Sequence, residues 1–193
     1  MYNLDKGVPV ERHTEQSIRR FSESVLKSLG TSEEEAKITA DGITTASLWW
    51  HPGQGQGLEK LFRYKRRILN GGIKPKAHMV WLRDEGSIAL LDGQKGLGYV
   101  SANKAMGKAL YKAKNSGISM VSVCHSNHFG IAGYHAKWAA DAGMIGIAMT
   151  NAGAEMAPWG SVVPILGTNP WGIAIPRPNG KNPIVLDMAL TQS

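Results

Sequence analysis

Between Tyr99 and Thr150 the chain changes its hydrophobic period repeatedly, and this limits the fold more than any other feature. Tyr99, Ala102, Ala105, Met106, Ala109, Leu110 and Ala113 recur at helical spacing, and Gly117 comes next as a stop. Ile118 to Val123 is short and rich in β-branched residues, so it reads as a strand. Ile131 to Ala142 returns to helical spacing before Gly143, and Ile145 to Thr150 is a second short strand. Strand, helix and strand with a crossover of this length predict a βαβ unit. Ile173 to Ile175 and Ile184 to Leu186 are further strand candidates. Strands alternating with helices define an α/β or mixed α+β fold.

The first half is more helical. Thr14 is placed to cap a helix running to about Leu29, with Gly30 as its stop. Ser32 and Glu35 have capping-box spacing and open a second helix to about Ser47. The loop from Trp50 to Gly57 holds three glycines and a proline, which forbid regular structure and let the backbone approach a ligand. A third helix is expected from Leu58 to Leu69, with Leu58, Leu61, Phe62, Ile68 and Leu69 as its core-facing stripe. Met79 to Leu82 and Ser87 to Leu91 read as a strand pair around Asp84-Glu85-Gly86.

Composition narrows the function classes. The 193 residues suit one or two domains. Hydrophobic residues at 42% and charged residues at 19% exclude a disordered chain, a collagen and a coiled coil. No apolar run reaches the roughly 18 residues of a membrane-spanning helix, so no membrane partner is expected. The one cysteine, Cys124, excludes an intrachain disulfide framework and a four-cysteine zinc site. Met1 to Val10 lacks the apolar core of a secretory signal, and a cytoplasmic location is expected. The net charge of +7 has a local source, because Lys60 to Arg83 holds eight basic residues and no acidic one. A solvated surface or the rim of an anion site is expected there. Nucleic acid is not, since neither zinc-finger spacing nor an aromatic RNA-binding motif is present.

Chemistry concentrates in four polar or glycine-rich clusters at the ends of predicted strands or turns. The first is His125-Ser126-Asn127-His128-Phe129-Gly130, between a strand and a helix N-terminus, where backbone N–H groups converge. His128 there is suited to acid–base work. Two other readings stay open at this point: Cys124, His125 and His128 as metal ligands, or His128 as a core hydrogen-bonding residue. The other clusters are Thr150-Asn151-Ala152-Gly153-Ala154, Gly167-Thr168-Asn169-Pro170 and Leu186-Asp187-Met188-Ala189. Asp187 reads as a strand carboxylate or as an N-cap for the residues after it. Together the clusters suggest one shared cleft. Neither G-x-G-x-x-G, a P-loop nor G-x-S-x-G occurs, so the Rossmann, P-loop and nucleophile-elbow sites lack support.

The run Val123 to Tyr134, with Gly143-Met144-Ile145-Gly146, Thr150-Asn151, Gly167-Thr168-Asn169-Pro170 and Asp187-Met188-Ala189, resembles the type-2 malate/L-lactate dehydrogenase family. Ala105-Met106, Ala113-Lys114 and Gly71-Gly72-Ile73 with Pro75 extend the likeness over nearly the whole chain. The family includes ureidoglycolate, sulfolactate and diketogulonate enzymes and a reductase of cyclic imino acids. The resemblance implies a non-Rossmann fold with a mainly antiparallel sheet. It also implies a homodimer that moves a hydride between NAD or NADP and a small 2-hydroxy or 2-oxo acid. Residues 1–76 would form a helical segment with the glycine-rich loop, and residues 77–193 an incomplete cofactor-binding region. His128 matches the family's proton acceptor, and Ala152, Asp187, Met188 and Ala189 match cofactor contacts. No metal is implied.

Two departures accompany this likeness. Family members carry Ser-His-Gly, with an arginine three residues after the glycine, before the third helix. Alignment from that helix puts Gln56 at the histidine and Lys60 at the arginine, both as substrate contacts. Alignment from the preceding helix puts Gln54 there instead. A glutamine hydrogen-bonds but moves no proton near neutral pH, and a lysine lacks arginine's bidentate fork. His51 is nearby, without a pattern that makes it the substitute. The chain also stops roughly midway through the family's length, so the C-terminal part is expected to be missing. The alternative to an enzyme is therefore a catalytically impaired paralogue or fragment that binds a cofactor or a small acid.

Overall fold

The computed structural model describes residues 12–49 and 57–190. The chain divides into two compact units, Met1–Gly130 and Ile131–Ser193. The boundary expected from the sequence, at 76/77, falls inside the first of these units.

The first unit begins with two capped helices. Thr14 caps α1 (Glu15–Ser28) by accepting from the Ser17 N–H at 3.2 Å. The capping box at α2 (Glu33–Leu48) forms as its spacing predicts, with Ser32 Oγ accepting from the Glu35 N–H and Glu35 accepting from the Ser32 N–H. A cap of this kind contributes about 1 kcal/mol. The Glu35 carboxylate also accepts from the Lys76 N–H, which fastens a distant turn to the start of α2. Ala36, Ala40, Ile43 and Ala46 form the buried stripe of α2. Gly42 faces the Tyr99 ring so closely that a Cβ there would lie 2.0 Å from it.

The third helix, α3 (Lys60–Leu69), differs from the expected one in phase. Its buried residues are Lys60, Leu61 and Tyr64, while Phe62 and Leu69 are exposed. Positions 60, 61 and 64 are separated by one, three and four residues, so they share a helix face. Phe62 and Leu69 lie off that face, and hydrophobicity alone set the wrong stripe.

β1 (Val80–Glu85) and β2 (Ile88–Asp92) form the expected strand pair, which is antiparallel, although Asp84 and Glu85 belong to β1 and the turn at Gly86, φ +45°, is tighter than expected. β3 (Met120–Cys124) then pairs parallel with β2, from Ile88 opposite Met120 to Asp92 opposite Cys124. The crossover between them is α4 (Gly98–Ser116), ended by Gly117 at φ +78°. The parallel unit is therefore β2-α4-β3. The predicted one, using the Ile131–Ala142 helix, does not form, because the strands on either side of that helix belong to different sheets. Local periodicity identifies strands but not their partners.

The second unit places α5 (Ala132–Asp141) on an antiparallel sheet of β4 (Gly146–Met149), β5 (Trp171–Ile175) and β6 (Ile184–Met188). The core is made of small residues: Ala136, Ala140 and Ala174, with Ala148 and Val185 against them. The helix backbone rests directly on the strands. A Cβ on Gly172 would lie 2.4 Å from the Gly133 nitrogen, and one on Gly146 would lie 2.1 Å from the Ala136 carbonyl oxygen. The expected mixed fold with mainly antiparallel pairing is thus present, and three of the four strand pairings among the described residues are antiparallel. Among the described residues no helix is long and apolar enough to cross a membrane.

Candidate active site

His128 sits in the segment just after β3, and its placement is tightly specified. Asn127 beside it donates from Nδ2 to the carbonyls of Gly72, Lys95 and Gly96 at 2.9–3.2 Å. The backbone of residues 127 and 128 presses on the first residue of α4. A Cβ on Gly98 would lie 2.2 Å from both the Asn127 and the His128 carbonyl oxygens. Gly130, at φ +84°, passes so close to Tyr99 that a Cβ would lie 1.9 Å from its hydroxyl. Larger side chains at positions 98 and 130 would push the segment away.

The half-buried His128 ring meets Tyr64, with His128 Nδ1 2.8 Å from Tyr64 Oη. Tyr64 comes from the buried face of α3 and is 1% exposed. Burial raises the Tyr64 phenol above its ordinary value, so it stays protonated. The surroundings act oppositely on His128. Burial first, then the positive charges of Lys60, Arg63 and Arg67, pull its pKa from 6.5 down to about 3. The ring is neutral near pH 7 and has two tautomers. With Tyr64 donating to Nδ1, Nε2 carries the ring proton. With Nδ1–H donating to Tyr64, Nε2 is an acceptor.

Lys60, Arg63, Tyr64 and Arg67 recur at intervals of three and four on α3, so one ridge brings the cations toward one histidine. Of the residues singled out from sequence, His128 and Lys60 are thereby brought together. Gln56, Gln54 and His51 lie outside the described residues. Tyr64 was missed, although its place four residues after Lys60 and three after Leu61 is the signal that marks it.

The remaining predicted residues lie in the second unit and gather at one end of its sheet. Antiparallel order puts the end of β4, the start of β5 and the end of β6 side by side. The Thr150 N–H donates to the Pro170 carbonyl, the Ala152 N–H to Asn169 Oδ1, and the Leu190 N–H to the Thr168 carbonyl. Three of the four sequence clusters therefore form one cradle around Ala152, Asp187, Met188 and Ala189. Asp187 also acts back in the chain, as the strand carboxylate of the sequence reading. Its Oδ2 accepts from the Gly133 N–H at 2.8 Å, in the first turn of α5, a helix whose own N-cap residue, Ile131, supplies no side-chain cap.

At the other end of the 125–130 segment, His125 Nδ1 lies 3.1 Å from Asp92 Oδ2. The Gln94 backbone N–H, and then His125, hold the Asp92 carboxyl below its usual range. The sequence grouping of Cys124, His125 and His128 is replaced by Asp92, Cys124 and His125.

Comparison with known proteins assigns the family. The family model for malate/L-lactate dehydrogenase matches residues 13–193. The chain therefore belongs to the malate/L-lactate dehydrogenase family. A malate dehydrogenase of Pyrococcus abyssi is 48% identical over 169 residues, covering 88% of this chain and 46% of the relative. An L-sulfolactate dehydrogenase of Methanocaldococcus jannaschii is 43% identical over 165 residues, covering 86% of this chain and 47% of the relative. The structure of malate dehydrogenase from Pyrococcus horikoshii superposes with a TM-score of 0.88 at 42% identity. It covers 95% of this chain and 53% of that one. The chain spans about half the length of the relatives it matches.

Proposed function

We propose that the chain takes part in exchanging a hydride between a nicotinamide cofactor, NAD or NADP, and a small 2-hydroxy or 2-oxo acid. The observation that carries this reading is a neutral histidine, hydrogen-bonded to a buried tyrosine, under three cationic side chains. A 2-hydroxy acid needs those two things of a protein: charge to hold its carboxylate, and a nitrogen to take its hydroxyl proton.

In this reading Lys60, Arg63 and Arg67 attract the substrate carboxylate. His128 accepts the hydroxyl proton at Nε2, and Tyr64 Oη accepts from Nδ1–H of the imidazolium that forms. In the reverse direction the imidazolium returns that proton to the oxygen of the 2-oxo acid. The pKa of about 3 reflects burial and the three cations alone. A bound carboxylate offsets the three cations and moves the histidine toward the working range of a base.

The second unit fits a nicotinamide cofactor by its donor set. Gly153 opens onto free space, Met188 is 40% exposed, and small residues leave the backbone of 151–154 accessible. An amide-bearing ring calls for backbone donors and acceptors beside an apolar surface. When bound, the cofactor supplies hydride exchange with the substrate carbon. Ala152, Asp187, Met188 and Ala189 would hold it.

Loss of reduced-nicotinamide absorbance tests the proposal, with NADH and then NADPH against pyruvate, oxaloacetate, larger 2-oxo acids and cyclic imino acids. Turnover that disappears in His128→Asn supports the assignment. Turnover at full rate in that variant removes His128 as the base. A folded chain that binds cofactor but turns nothing over favours the binding paralogue, with the neutral amides of the Gly53–Gly57 loop as the reason.

A further inference from the structure

We propose that Asp92, Cys124 and His125 bind one thiophilic divalent cation of the zinc class. One ligand atom from each residue lies within 4.8 Å of the others. Metal–ligand bonds of about 2.0–2.3 Å around a tetrahedral ion imply ligand separations of roughly 3.3–3.7 Å. The carboxylate–imidazole distance of 3.1 Å is already in that neighbourhood.

The backbone places these donors. Asp92 and Cys124 end adjacent parallel strands and stand opposite one another in register. His125 comes immediately after, with its backbone at φ +48°. That left-handed conformation admits histidine more readily than most residues, and it turns the chain sharply at the strand end. Gly93 makes room for the turn, since a Cβ there would already touch Ser126 Cβ at 3.1 Å and the Cys124 and His125 carbonyls at 3.3 Å.

The remaining hydrogen bonds orient the ligands. The Gln94 N–H holds Asp92 Oδ1 at 2.8 Å, so Oδ2 is the oxygen that faces His125. The Cys124 thiol lies 3.7 Å from the Leu91 carbonyl, its only partner among the described residues. The His125 side chain is 70% exposed, so it can swing inward, and solvent can fill the open coordination positions.

Ligand chemistry sets the metal class. A thiolate and an imidazole favour zinc-like ions over magnesium or calcium, which prefer all-oxygen sets. Coordination displaces the Cys124 thiol proton to solvent. This site is independent of the reading of His128, whose Nδ1 is engaged by Tyr64.

Cobalt(II) added to the full chain tests the proposal, because Cys124 is the only cysteine in the sequence. A thiolate-to-cobalt charge-transfer band saturating at one equivalent is expected, with tetrahedral visible bands that zinc bleaches. Cys124→Ser should remove the charge-transfer band. His125→Gln, with folding checked by far-ultraviolet circular dichroism because the backbone there is left-handed, should weaken binding about tenfold or more. Asp92→Asn should do the same, provided far-ultraviolet circular dichroism shows a folded variant. Absence of the band at one equivalent overturns the proposal. So does a band whose affinity changes by less than about twofold in His125→Gln, since the sulfur would then bind metal alone.

Discussion

His125 and His128 lie three residues apart on one segment, yet their surroundings differ in sign. His125 is exposed and faces the Asp92 carboxylate. His128 is half-buried, faces a phenol, and sits under three positive charges that help pull its pKa to about 3. The two residues share their chemistry and nearly their position in the chain. What separates them is which part of the chain arrives opposite: the end of β2 for one, a helix sixty-four residues earlier for the other. Proton chemistry here is assigned by tertiary neighbours.

The comparison is broken most severely at His128 itself. His128→Asn should lower any turnover by about 10²- to 10⁴-fold, the usual worth of an acid–base group. His125→Ala should leave it within about twofold when no metal is added. Equal losses from the two would erase the distinction.

A second effect concerns stability. The folded pKa of His128 lies below its unfolded value, so the unfolded chain binds that proton first. The contribution is present in full above about pH 6.5 and is lost as pH falls toward 3. Denaturant titrations of the wild type should therefore show lower stability at pH 4.5 than at pH 7.5. The share from His128 is at most about 3 kcal/mol. His128→Gln should flatten that slope, and an unchanged slope would contradict the depressed value.

A smaller effect separates the causes. Burial acts on His128 more strongly than any one of the cations does. Arg63→Gln and Arg67→Gln should each raise the His128 pKa without restoring the ordinary one, as read by histidine proton resonances against pH. No upward movement in either would mean these exposed arginines are screened by solvent. The smallest expected effect is on folding: His125→Asn, which suits the left-handed backbone there, should change stability by no more than about 0.5 kcal/mol, by thermal or denaturant unfolding.

Much of the fold was legible in the sequence, and the legible parts are local. The caps made by Thr14, Ser32 and Glu35 each span three residues, so they could be read directly, whereas the reach of Glu35 to Lys76 could not. Gly86 and Gly117 mark turns for the same reason. The parallel partner of β3 could not be read, because sheet membership depends on a crossover rather than on strand composition. The buried face of α3 was misplaced since Phe62 and Leu69 are as apolar as Leu61, and only packing distinguishes them. At the candidate site, His128 and Lys60 stood out by residue type and family likeness. Tyr64 and Asp92 did not, because each matters through a neighbour distant in sequence.

The Asp187 carboxylate on the start of α5 has a consequence in time as well as in space. It arrives fifty-four residues after the N–H it satisfies. At roughly 5–20 residues per second of synthesis, α5 spends about 3–10 seconds with that N–H unmet by its protein partner. The helix is ten residues long and has no side-chain cap of its own, so in isolation it is marginal. This part of the second unit should therefore mature late, once β6 is made, rather than growing outward from its helix.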